Sequence, residues 1–120
     1  MSGTGTVEIL GRDTVSTLVG SKTLNNLLCR TPGKVISFES GSVHTVEGAW
    51  SVSGEGGSNG LIKLSGTRNS PEVWYINPSG SRNLKNLIVS NSYNIGANLI
   101  TPESSYDGGN NYRWDGFVGY

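Results

Sequence analysis

Apolar residues in this chain come in short, β-branched clusters that mostly alternate with polar neighbours, and small polar residues separate the clusters. A period of two places every second side chain on one face of an extended strand. Ile36 and Phe38 share such a face, as do Trp50 and Val52, Ile62 and Leu64, and Trp74 and Ile76. The pattern predicts strands over residues 6–10, 15–19, 24–29, 34–38, 43–46, 49–52, 61–64, 72–76, 84–89 and 98–100, with a further one over 116–120. Ile36, Phe38, Val46, Val52, Ile62, Leu64, Ile76 and Ile88 are the expected core. The most helical stretch, 23–28, is too short for a helix of three turns.

Three all-β architectures fit regular short strands: a sandwich or jelly roll, a barrel, and a parallel β-helix. The first two need hairpins with tight Asn-Gly or Asp-Gly loops. Asn59-Gly60 and Asp107-Gly108 both sit in longer Gly-rich stretches. A parallel β-helix needs only short strands, small corner residues and a slender apolar interior. The expected fold is therefore a short right-handed parallel β-helix, with a β-sandwich or jelly roll as the alternative.

Composition sharpens this choice. Gly, Ser, Asn and Thr make up nearly half of the 120 residues, and apolar residues only 34%. A β-helix turns most side chains outward, so a low apolar fraction still fills its core. The chain is long enough for one domain, 1–120. Nine basic residues balance nine acidic ones, which excludes the clustered basic excess of a nucleic-acid binder. No stretch approaches the roughly 18 apolar residues of a membrane span. The opening, Met1 to Thr6, lacks the basic and apolar regions of a secretory signal. The expectation is either a segment of a longer exported protein or a protein assembled in the cytoplasm, such as a virion component.

Several phrases carry a resemblance. Val35-Ile36-Ser37-Phe38 leads through Gly41 to Thr45-Val46, followed by Ala49-Trp50-Ser51-Val52 and Leu61-Ile62-Lys63-Leu64. Trp74-Tyr75-Ile76-Asn77-Pro78 then precedes Leu87-Ile88-Val89-Ser90-Asn91-Ser92 and a closing Asp107-Gly108-Gly109-Asn110-Asn111. Over residues 5–115 this order resembles the right-handed parallel β-helix repeat segments of large bacterial surface proteins and large-phage structural proteins. The resemblance implies a structural or adhesive role at a virion or extracellular surface. It carries over no catalytic residues and no cofactor.

Candidate chemistry is sparse. His44 is the one histidine, and Glu39 and Glu47 complete no triad with it. The expectation is an outward-facing strand residue or a hydrogen-bonded turn residue. Cys29 lies in an apolar run and is expected to pack as a small hydrophobe. Asp13, Asp107 and Asp115 do not form the carboxylate pair that glycoside hydrolysis needs. Asp107 to Asn111 is oxygen-rich, but its spacing matches no calcium loop. The expectation is a protein that is not an enzyme and binds no metal.

The aromatics are more informative. Tyr106, Tyr112, Trp114, Phe117 and Tyr120 crowd the last fifteen residues. Such a segment, 106–120, is expected to cap the core or to dock on a partner, with Trp114 and Phe117 as anchors. Trp74 and Tyr75 are candidates for stacking on sugar rings. The leading expectation is a β-helical subunit that assembles with itself or with a larger particle, as a decoration, tail or fibre component of a virion or on a cell surface. The alternative is a carbohydrate-binding or adhesive module.

Overall fold

A computed structural model describes residues 5–12, 14–56, 60–68 and 72–118. Among the described residues there is no α-helix, and the strands are short. They are β1 (Thr6–Glu8), β2 (Val15–Leu18), β3 (Lys22–Leu24), β4 (Asn26–Cys29), β5 (Val35–Phe38), β6 (Val43–Val46) and β7 (Trp50–Ser53). There follow β8 (Ile62–Gly66), β9 (Trp74–Pro78), β10 (Arg82–Lys85), β11 (Leu87–Ser90), β12 (Ser92–Asn94) and β13 (Tyr106–Gly109).

They build three sheets, ordered β1-β4-β7-β10, β2-β5-β8-β11-β13 and β3-β6-β9-β12. Every strand pair among the described residues is parallel. A sandwich or jelly roll would be built on antiparallel hairpins. From β1 to β12 the chain visits the three sheets in fixed rotation, so each circuit lies against the one before it.

Register places like side chains above one another. Ile36 pairs with Leu64 and Leu64 with Val89, Cys29 and Leu84 both pair with Val52, and His44 pairs with Ile76. The inward members of these rows are buried. Phe38 and Trp74 stack at 4.0 Å between ring centroids, with planes 6° apart. The Trp74 Nε1–H donates to the Ser90 carbonyl at 2.9 Å, which satisfies the indole inside the core.

The corners explain where the sequence pattern misleads. Gly11, Gly33, Asn86 and Ser104 take positive φ between the first and second sheets. Gly20, Gly41, Asn91 and Asn110 do so between the second and third. Glycine and asparagine enter this region at the least cost. Asn86 therefore splits the predicted strand 84–89 into β10 and β11. The turn resets the alternation, so Leu84, Leu87 and Val89 face the core while Ile88 faces out, half-buried. Ile88 is thus a correction to the expected core; the other seven expected members are buried. Similarly, 24–29 divides at Asn25 into the end of β3 and β4. β12 and β13 lie in stretches that read as turns. Residues 98–100 keep only an isolated bridge, from Ile100 to Trp114. The predicted strand 116–120 forms none over 116–118, and its last two residues lie outside the described residues.

Gly80 shows how closely the circuits approach. A Cβ there would collide with the carbonyl oxygens of Glu47 and Gly48 in the circuit beneath.

Leu64 sits at 0% exposure between two circuits. Leu64→Ala should cost about 2–5 kcal/mol in urea unfolding, whereas Ile88→Ala should cost about 1 kcal/mol or less. Equal costs would contradict the inward and outward assignment.

Candidate functional site

The two ends of the molecule differ, and the first end is the less complete. β1, β2 and β3 are the outermost strands of their three sheets, so one backbone edge of each is unpaired among the described residues. β1 is exposed along its whole length. Val7, Leu10, Val15 and Val19 are 41%, 63%, 60% and 55% exposed at this end. Between the first and second circuits lies a cavity of about 320 Å³. Leu18 and Leu24 of the first circuit and Leu27, Phe38, His44 and Val46 of the second line it.

A buried lysine organises this end. Lys34 is 0% exposed, and its Nζ donates to the carbonyls of Gly11 and Thr14, each at 2.7 Å, and to Thr14 Oγ1 at 3.2 Å. A buried ammonium is tolerated only when its donors are satisfied. These bonds tie the loop between β1 and β2 onto the second circuit. They also hold the exposed Leu10 and Val15 that flank that loop.

The opposite end is covered by the chain's own aromatic segment. Trp114 is buried, packs edge-on against Trp50 at 6.0 Å, and donates its Nε1–H to Ser92 Oγ at 3.0 Å. Phe117 stacks on Trp114 at 6.2 Å and is half-buried against the core. The amide of Asp115 donates to Ile100, and that of Val118 to Ser105. Trp114 and Phe117 thus pack on their own core. Tyr106 is half-buried in β13, Tyr112 is exposed, and Tyr120 lies outside the described residues.

The sugar-stacking candidates separate. Trp74 is 0% exposed and has no ring face to offer. Tyr75 points outward, in register with Tyr93, which in turn bridges to Tyr112. Their centroids are 6.0 and 5.3 Å apart, with interplanar angles of 88° and 38°. The rings pack on one another rather than forming a coplanar platform. Tyr93 was missed because its significance lies in its being one circuit from both Tyr75 and Tyr112.

His44 faces inward at 6% exposure, which corrects the expected outward position. Its row continues the inward face of β6, where it packs edge-on against Phe38 at 5.1 Å. Its Nε2 lies 3.2 Å from the Glu39 carbonyl and donates its proton there. Cys29 is fully buried, and burial pushes its thiol pKa up, against the pull of the Thr31 backbone and Lys34. A protonated thiol without access is a poor nucleophile. Asp107 accepts from the Gly109 amide and from Asn111 Nδ2, both at 2.8 Å, so it closes its own turn. Asp13 lies outside the described residues. Among the described residues no three His, Cys, Asp or Glu side chains are grouped to hold a metal.

Comparison of the chain with protein-family models, with curated proteins and with solved structures finds no match.

Burial holds the His44 pKa below its ordinary 6.5, opposed by hydrogen bonding and charge from Glu39. The unfolded chain therefore binds this proton first as pH falls. Stability linked to neutral His44 is fully present above pH 6.5 and is lost as pH falls through the lower folded value. Glu39 is held below 4.5, chiefly by the Ser42 hydroxyl and then by the Gly20 amide, so its contribution is lost in a lower window. Urea midpoints should fall from pH 7 toward pH 5 in the native chain, and His44→Phe should flatten that slope. An unchanged slope would contradict the assignment.

Proposed function

We propose that the chain is a short right-handed parallel β-solenoid with a structural role. It is a subunit that assembles, through its β1–β2–β3 end, with copies of itself or with a larger particle. Rotation of the chain through three parallel sheets supports the solenoid, and crossovers between parallel strands are right-handed almost without exception. The observation that carries the assembly reading is the first end itself. Three parallel edges, exposed apolar side chains and a cavity lined mainly by apolar residues lie at this end. Edges of this kind template pairing with another chain. The setting at a virion or cell surface rests on the resemblance to β-helix repeat segments. The buried Cys29 and the inward, hydrogen-bonded His44 favour a non-enzymatic role.

Sedimentation velocity of the full chain should show a mean mass that rises with concentration. Val15→Lys places a charge on an exposed edge residue and should weaken association at least tenfold, about 1.4 kcal/mol. A native chain that stays monomeric across the range would refute the reading.

A further inference from the structure

We propose that Tyr93 and Tyr112 form a site of oxidative cross-linking, where a one-electron oxidant couples the two rings into a dityrosine. The bond staples the closing segment of the chain to the circuit beside it. This site lies outside the β1–β2–β3 end and is independent of assembly through it.

Backbone bonds set the two residues side by side. Tyr93 is the middle residue of β12, and Tyr112 bridges to it from the chain beyond β13. The Tyr112 amide donates to the Ser92 carbonyl at 2.9 Å, and the Tyr112 carbonyl accepts from the Asn94 amide at 3.0 Å. Bonds on both sides hold the two Cα atoms near the sheet spacing, about 4.8 Å. Their ring centroids lie 5.3 Å apart.

Geometry selects this pair over its neighbour. Tyr75 also abuts Tyr93, but at 6.0 Å and with planes 88° apart. Tyr93 and Tyr112 are closer and inclined by only 38°. A biaryl bond joins two ring edges at an intermediate twist, which this pair approaches and the perpendicular pair does not. Tyr112 is 57% exposed, so an oxidant reaches its ring and the ring has room to turn toward Tyr93.

Other oxidisable groups are withdrawn from solvent. Cys29, Trp50 and Trp74 are each 0% exposed, and Trp114 is 8% exposed. Among the described residues the tyrosines are therefore where an oxidant in solution meets an aromatic ring. With one cysteine the chain forms no internal disulfide. Beyond β13 the chain joins its neighbours through isolated bridges rather than a strand. A covalent bond from Tyr93 to Tyr112 tethers that segment and, like a disulfide, restricts the unfolded chain.

The chemistry balances with hydrogen peroxide as the oxidant, activated by a haem peroxidase. Each phenol gives up its hydroxyl proton and one electron. The two phenoxyl radicals join through ring carbons next to their oxygens. The hydrogens on those carbons then move to the oxygens and restore both phenols. The two electrons and two protons reduce one hydrogen peroxide to two waters, so the protein loses two hydrogens.

The test treats the full chain, kept dilute, with a haem peroxidase and hydrogen peroxide. The native chain should gain the blue fluorescence of dityrosine, lose two hydrogens by mass and run as a single chain on a denaturing gel. Trypsin should then release residues 86–113 as one peptide, and a further cut before Asp107 should leave 86–106 and 107–113 joined. The treated chain should also unfold at a higher urea concentration than the untreated one. Tyr93→Phe and Tyr112→Phe remove only a hydroxyl each, with folding checked by circular dichroism, and each should abolish the signal. Tyr75→Phe should leave it intact. Four results would overturn the assignment: peptide 69–82, which carries Tyr75, linked to 86–113; a signal that survives Tyr112→Phe; covalent dimers as the sole product; or no coupling at all.

Discussion

Hydrogen bonding between successive circuits is the constraint on which everything else depends. A strand in a parallel sheet satisfies its backbone only through neighbours on both sides. Here those neighbours are the circuits before and after it, one turn away in sequence. Inner strands such as β4, β6, β7 and β9 alternate between buried and half-buried positions as a result. Among the described residues β1 has a neighbour on one side only, and it is exposed throughout. The end is therefore where the fold is least satisfied and where its function is most naturally sought.

The interior follows from the same stacking. Each circuit contributes only a few inward side chains, so large rings bridge circuits. Phe38 lies flat on Trp74, and Trp50 meets Trp114 edge-on. Several polar groups enter with partners: Lys34 on three oxygens, Ser105 between the Leu87 amide and the Glu103 carbonyl, and Asn94 on two carbonyls and the Gly96 amide, whereas Trp50 Nε1 and Arg82 Nη1 are buried without a hydrogen bond. The Lys34 bonds, the Leu87-to-Ser105 bond and the Asn94-to-Arg113 bond join neighbouring circuits, and the others close local turns. The aromatic closing segment completes the core at one end by the same means, while the first end keeps a cavity.

Much of this was legible in the pattern of residues. Alternation located the inward faces of β5, β7, β8 and β9 because those strands run unbroken between corners. It failed at Asn86, where a positive φ resets the alternation and moves Ile88 outward. It also failed for β12 and β13, whose Ser, Asn and Gly content reads as turn, because neighbouring circuits supply their pairing from a distance. His44 read as an outward strand residue or a hydrogen-bonded turn residue, because nothing local says that a lone histidine continues an inward row. The crowding of Trp114 and Phe117 was visible in the sequence, while the packing of Trp114 on Trp50 depends on contacts between distant circuits. The buried Lys34 and the cavity were not visible, since both arise from contacts between circuits.

The central proposal is that the molecule assembles through its β1–β2–β3 end. Amide hydrogen exchange measured at rising protein concentration tests it most directly. The account predicts that amides of β1, β2 and β3 gain protection, while those of β5 to β9 change little. Protection of β1, β2 and β3 that is independent of concentration would contradict it.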